Sequence, residues 1–259
     1  MDADDLLVTS KLTKWFGGVS ALEDVDFRLG SRELVGLIGP NGAGKTTFFN
    51  VVTGMMRPTS GDVRFKGRPI AGMSPDQTVR LGIARTFQNV RLFNKMTVLE
   101  NVLVAAYSKS RASLGDAFLN GRLSRQERKT FTEEAMRWLD FVGMAQYKDA
   151  RAGSLPYGYQ RRLEIARAMA THPEVILLDE PTCGMNPRET EDVMEQIRRL
   201  QGEGLSILVI EHDMRFIMGI CERIVVLNFG RRIAEGTPAE VQANPAVIEA
   251  YLGRGAAHA

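Results

Sequence analysis

The chain is poor in the features that define several protein classes. It has two cysteines in 259 residues, Cys183 and Cys221, far apart and without a metal-ligand spacing. They read as reduced thiols of a cytosolic protein. No apolar run approaches the roughly 18 residues of a transmembrane helix. Any role at a membrane therefore requires a separate, membrane-embedded partner. A net charge of +2 is too small to argue for nucleic acid as a partner. Met1 to Asp5 is acidic and has no apolar signal core, so no export leader is expected. There is no internal repeat and no low-complexity segment. What remains is an ordinary globular composition, 44% hydrophobic and 25% charged. It can bury one large domain, or a domain with a subdomain.

Against that background one stretch stands out. Gly39-Pro40-Asn41-Gly42-Ala43-Gly44-Lys45-Thr46 fits G-x-x-x-x-G-K-[ST]. The apolar run Leu34 to Ile38 before it reads as a buried strand, and Thr46-Thr47-Phe48-Phe49 after it reads as a helix start. That context is what a phosphate cradle needs. Glycines let backbone N–H groups converge on phosphate oxygens, and the helix N-terminus adds free donors and partial positive charge. Lys45 can reach the β- and γ-phosphates, and the Thr46 hydroxyl can ligate Mg²⁺.

Short strands are expected at Leu6 to Thr13, Val25 to Leu29 and Asp62 to Lys66, forming an antiparallel layer beside a parallel core. A helix is expected at Ser74 to Leu81 and a strand at Ile83 to Phe87. The middle third is helical: Thr97 to Tyr107, a connection from Ser108 to Leu123, then a helix opened by a capping box at Ser124 to Glu127 and running to about Phe141. The α/β pattern resumes with a helix at Gln160 to Thr171. Strands at Val175 to Leu178, Leu205 to Ile210 and Arg223 to Leu227 follow, with a helix at Arg188 to Gln201. Pro238 to Leu252 reads as two short helices split by Asn244-Pro245.

Asp179 and Glu180 end the apolar run Val175 to Leu178. In open parallel sheets ligands sit beyond the carboxyl ends of the strands. Asp179 there suits Mg²⁺, and Glu180 suits polarising an attacking water. His212 ends another apolar strand and could hold that water against a γ-phosphate oxygen; a surface histidine is its plainer use. Gln88 ends the strand from Ile83 and could reach metal or water; otherwise it is a polar turn residue. Phe16 could stack on adenine, with Trp15 as the competitor and core packing as the alternative.

In this order the motifs resemble the ATP-binding cassette (ABC) family over nearly the whole chain. The resemblance rests on the aromatic, the P-loop, Gln88, the Asp179-Glu180 pair, Gly184-Met185-Asn186-Pro187 and His212. It also rests on a signature-like segment, Leu155-Pro156-Tyr157-Gly158-Tyr159-Gln160. It implies an α/β P-loop NTPase (RecA-like) fold with an antiparallel β layer and an inserted helical subdomain. The expected parts are a nucleotide-binding core at 1–93 and 160–236, a helical subdomain at 94–159 and C-terminal helices at 237–252. The implied cofactors are ATP and Mg²⁺. Cassettes of the family pair head to tail, and each signature caps the ATP held by the other P-loop. The signature departs from the family's L-S-G-G-Q: Pro156 replaces the serine, Tyr157 a glycine and Tyr159 the glutamine, while Gly158 is kept. A hydroxyl donor and one backbone N–H are thereby lost.

Gly82 to Asn89, Arg91 to Phe93, Met96 to Val102, Glu235 to Pro238 and Asn244 to Gly253 resemble the larger ATP-binding subunit of bacterial branched-chain amino-acid importers. That implies a second cassette, hetero or homo, two transmembrane permeases and an extracytoplasmic solute-binding protein, with this chain on the cytoplasmic face of the inner membrane. A permease helix could dock near Val90 to Phe93 and Leu99 to Val102. Arg111, Arg122, Arg125, Arg128 and Lys129 could face anionic lipid, or form a solvated helix face. Competing readings are the ATPase of a lipid or lipopolysaccharide exporter or of a urea or amide importer. More distant ones are a soluble ABC ATPase and a P-loop kinase. The lack of sustained heptads weighs against the soluble ATPase, and a water-activating glutamate against the kinase.

Overall fold

A computed structural model describes the backbone of residues 5–109 and 122–252, and the side chains of 5–108 and 126–251. In chain order, β1 (Asp5–Phe16) and β2 (Val19–Gly30) form an antiparallel hairpin, with Phe16 opposite Val19. β3 (Leu34–Ile38) is buried at every residue and leads into α1 (Lys45–Val52). β4 (Ser60–Phe65) pairs with β1, and the two-residue β5 (Arg68–Pro69) with β4. Next come α2 (Pro75–Leu81), β6 (Ile83–Arg85), α3 (Val98–Ala106), α4 (Arg122–Phe141) and α5 (Tyr157–Met169). The chain ends with β7 (Val175–Asp179), α6 (Pro187–Gly202), β8 (Ser206–Ile210), α7 (Met214–Ile220), β9 (Arg223–Asn228), β10 (Arg231–Gly236), α8 (Pro238–Ala243) and α9 (Pro245–Leu252).

These elements divide into two compact units. The first takes residues 1–78 and 174–259, the second 79–173. The second is wider than the 94–159 expected from the sequence, and it takes in Gln88 and the whole signature helix.

In the first unit the order of the central strands is β10-β9-β3-β8-β7. β9, β3, β8 and β7 are mutually parallel, and β10 closes the edge antiparallel. All five residues of β3, β7 and β8 are buried, so their apolar runs reflect burial on both faces. The second sheet, β2-β1-β4-β5, is the expected antiparallel layer. Phe27 of β2 meets Phe48 of α1 edge-on at 5.1 Å, joining the layer to the P-loop helix. An ionic cluster fastens the far end: Arg223 binds Glu33 at 2.7 Å and Glu235 at 2.6 Å. Cys221 is buried with its sulfur against Gly36, and burial, then Glu222, push its thiol well above the usual range. Cys183 is half-buried in the loop before α6.

The second unit packs α3, α4 and α5 against one another. Thr97 caps α3 in a reciprocal box with Glu100, an arrangement worth about 1 kcal/mol. Asn101 is fully buried; its amide donates to the Phe93 and Thr97 carbonyls at 3.1 and 2.9 Å and accepts from the Phe93 N–H at 2.9 Å.

Several boundaries differ from expectation. β1 and β2 run longer than the predicted Leu6 to Thr13 and Val25 to Leu29, because their hairpin continues to the Phe16–Val19 tip. The strand from Ile83 stops at Arg85, before Gln88. α5 begins at Tyr157, not Gln160, with Pro156 as its cap residue. β10 and α7 were not anticipated; charges at Arg231, Arg232 and Glu235 hide the alternation of β10. α4 already runs through Ser124 to Glu127 from Arg122, so Ser124 stands inside the helix and not at its start as expected. Most of the connection from Ser108 to Leu123, and Arg111, lie outside the described residues. Lys129 is exposed and pairs with Glu133 at 3.8 Å.

Candidate functional site

The P-loop is shaped by what its glycines touch. Gly39 has φ 148°, and a Cβ there would lie 2.1 Å from the Leu227 carbonyl oxygen. Gly44 precedes α1 with φ 101°, and a Cβ there would lie 2.4 Å from the Ala21 carbonyl oxygen. Only glycine fits either position. Between them the Ala43 N–H donates to Pro40, and the Gly230 N–H donates to Ala43. No side chain caps α1, and a helix N-terminus of this kind favours an anion. Lys45 Nζ donates to the Gly39 and Pro40 carbonyls at 2.6 and 3.1 Å, which folds the ammonium back over the loop. Asn41, Gly42 and Thr46 are exposed, and Thr47 is half-buried. Tyr251 of α9 accepts a hydrogen bond from Gly39, and burial pushes its phenol above the ordinary range.

β8 brings the rest of this edge together. Leu37 of β3 and Asp179 of β7 both lie opposite Ile210 of β8, and all three strands run the same way. The P-loop, Asp179-Glu180 and His212 therefore leave neighbouring strands at one edge. Asp179 is buried. Glu180 sits in the left-handed region at φ 48°, with its N–H on the Ile210 carbonyl at 2.9 Å. A left-handed glutamate is uncommon, and such strain gathers at functional sites. The His212 side chain is 66% exposed.

Sequence reasoning passed over Glu211. This carboxylate is fully buried and accepts from the Thr182 N–H at 2.9 Å, the Thr182 hydroxyl and the His212 N–H at 3.1 Å. Charge-assisted bonds of this kind contribute about 1.5–3 kcal/mol each. Glu211 thus ties the loop after Glu180 to the loop carrying His212. The signal was there to read: a carboxylate directly after a wholly buried strand needs donors close by.

Trp15 and Phe16 are 42% and 46% exposed, which removes core packing as their use. They end β1 at the hairpin whose other strand, through Ala21, abuts Gly44. Lys14 Nζ lies 5.2 Å from the Phe16 ring centre.

In the second unit Gln88 and the signature are neighbours. Arg161 of α5 donates to the carbonyls of Phe87 and Gln88. Pro156 caps α5 without a side-chain bond, and Gln160 Nε2 returns to the Leu155 carbonyl at 2.8 Å. Since Tyr159 and Gln160 donate to Pro156, the first-turn donors left over are the N–H groups of Tyr157 and Gly158. The Tyr159 ring packs edge-on to Tyr147 at 5.1 Å, and the hydrogen bond to Tyr147 raises its phenol pKa.

Among the described residues no group of three or more His, Cys, Asp or Glu could hold a metal. A hydroxyl at Thr46 and a carboxylate at Asp179 are hard oxygen donors. They fit a small divalent cation that takes its other ligands from phosphate and water.

The family model described as ABC transporter matches residues 22–183. This chain belongs to the ABC transporter family. The ABC cassette matches a second model, branched-chain amino acid ATP-binding cassette transporter, over residues 231–257. It is 46% identical over 249 residues to the high-affinity branched-chain amino acid transport ATP-binding protein LivG of Salmonella typhimurium, covering 96% of this chain and 98% of that one. It is 45% identical over 250 residues to BraF of Pseudomonas aeruginosa, with the same coverage. Among solved structures, the ADP conformation of the cassette MJ1267 superposes with a TM-score of 0.84 at 32% identity, covering 96% of this cassette and 99% of that chain. A dimeric cassette, MJ0796, superposes at 0.76 with 26% identity, covering 90% and 99%. The fold expected from the sequence is thereby borne out, and the cassette is a transport ATPase. No described helix is long and apolar enough to cross a membrane.

Proposed function

We propose that this chain hydrolyses ATP to drive an importer of branched-chain or related hydrophobic amino acids. It works on the cytoplasmic face of the inner membrane, paired with a second cassette, hetero or homo. The observation that carries the hydrolytic reading is the β3-β8-β7 edge, where the P-loop, Asp179-Glu180 and His212 emerge side by side. The solute class is supported by the names of the relatives and by the tail match over 231–257. The extracytoplasmic binding protein and the two permeases belong to the same reading.

Each residue then has a task. The N–H groups of Gly42 and of Gly44 to Thr47, with the Lys45 ammonium, hold the phosphates. Phe16, or Trp15 beside it, stacks on the adenine. Thr46, Asp179 and Gln88 would hold Mg²⁺, which when bound would neutralise phosphate charge. Glu180 takes the proton of the attacking water. His212 donates to the γ-phosphate oxygen, its loop steadied by Glu211. Pro156 to Gln160 cap the partner's ATP through the Tyr157 and Gly158 N–H groups. The helix start at Tyr157, earlier than the expected Gln160, puts the first-turn donors at Tyr157 and Gly158.

The second unit also carries a cleft of about 250 Å³ lined by Phe93, Val104, Ala105, Arg85 and Arg167. Val98 and Val102 are core, so the docking wall for a permease helix is Val104-Ala105 rather than Leu99 to Val102. The test of the hydrolytic reading is Glu180→Gln. It should bind ATP and accumulate a closed dimer on size exclusion, with turnover down about 100-fold or more. Near-normal turnover would remove Glu180 as the base.

A further inference from the structure

We infer that Arg161 is a positioning residue: a latch tying the signature helix to the Gln88 segment, so that the two move as one piece. The inference rests on the role proposed above for Gln88. Arg161 is 3% exposed, four residues into α5 from Tyr157. Its guanidinium donates to the carbonyls of both Phe87 and Gln88 and lies 3.2 Å from Glu164. Glu164, buried in turn, accepts the Phe87 N–H at 3.2 Å. The peptide groups on either side of Phe87 are therefore gripped by one charged pair, and the backbone entering and leaving Gln88 is fixed.

Stability alone does not account for such a pair. Apolar side chains of similar volume fill a core at least as well as a buried ion pair, whose best-attested use is to set register. The third contact shows what register is set here. The exposed Tyr157 ring lies 5.4 Å from the Arg161 guanidinium. Tyr157 stands where the family signature has glycine, so the ring adds a contact that glycine lacks. A displacement of the signature end thus reaches the Gln88 carbonyl through two contacts, Tyr157 to Arg161 and Arg161 to backbone. Burial pushes the Glu164 carboxyl up, opposed by the Phe87 N–H and by Arg161, so the acid depends on these partners to stay charged.

The experiment is a mutant cycle in the full-length chain, reading MgATP turnover and amide exchange of residues 86–90. Gln88→Ala and Arg161→Met should each lower kcat about tenfold with ATP KM within about twofold, and the double variant should be no slower than Gln88→Ala. Arg161→Lys keeps the charge but not the fork, and should behave like Arg161→Met. Exchange at 86–90 should rise about tenfold in Arg161→Met while the α3 amides stay protected. Should Arg161→Met not fold, the exposed Tyr157→Leu replaces it: a kcat loss of about threefold that vanishes in the Gln88→Ala background. Multiplying effects, or unchanged exchange at 86–90, would overturn the latch alone. Normal turnover in Gln88→Ala would overturn the latch and the Gln88 role together.

Discussion

The P-loop is held by backbone, and the Gln88 segment by side chains. Around Gly39 and Gly44 the neighbours are main-chain oxygens of Leu227 and Ala21, close enough to forbid any Cβ. Around Phe87 and Gln88 they are the guanidinium of Arg161 and the carboxylate of Glu164. A loop wedged between strands has one arrangement. A loop gripped by charged side chains of a neighbouring helix is carried along when that helix moves. The difference matches the tasks proposed: the first loop keeps one shape for phosphate, while the second passes on a displacement.

Three substitutions put this contrast under strain. The largest effect is expected for Gly44→Ala, where a positive φ and a 2.4 Å approach to Ala21 coincide. ATP affinity by titration should fall about 100-fold or more with the circular dichroism spectrum kept; retained affinity would show that the loop yields after all. Next is Asn101→Ala in the second unit, which removes the buried amide that pairs with the Phe93 N–H and carbonyl. Denaturant melts should show a loss of about 2–4 kcal/mol with ATP affinity intact. Loss of affinity instead would mean that the P-loop depends on that unit's side chains. Smallest is Glu33→Gln, at a side-chain staple in the unit that carries the backbone-held P-loop. Burial pushes the Glu33 carboxyl up, but Arg223 and the Gly30 N–H outweigh it and hold the group below its ordinary range. A depressed carboxylate stabilises the fold above the ordinary glutamate range, and the contribution fades as pH falls through the folded value. Because Glu33 is partly solvated, the shift in Tm at pH 7 should be only a few degrees, or about 1 kcal/mol. The variant's Tm should also fall less on acidification than the parent's. An equally steep acid limb would exclude Glu33 as its source.

The same contrast explains what could be read from the sequence. The P-loop, the strand before it, Asp179-Glu180 and His212 are local patterns: an apolar run, then a polar residue at its end. Their meeting at one edge follows once the strands are parallel. Glu211 and Arg161 act across the chain, and pattern reading attends to neighbours. Even so, Arg161, Glu164, Ile165 and Ala168 share one helical stripe, and two charges on a buried stripe are a sign that partners must exist. The start of α5 was misplaced because Pro156 and Gly158 look like breakers, although a proline just before the first turn suits a helix. β10 was missed because a charged edge strand lacks clean alternation.

The two cysteines carry a practical consequence. Cys221 is sealed against Gly36 with its thiol held protonated by burial, so it is a poor nucleophile. Cys183 is half-exposed in the loop between Glu180 and α6. The natural sequence therefore offers one addressable thiol three residues from the proposed catalytic base. A spin label or fluorophore can be fixed there without first stripping the protein of cysteine, reporting on that loop from within the unaltered chain.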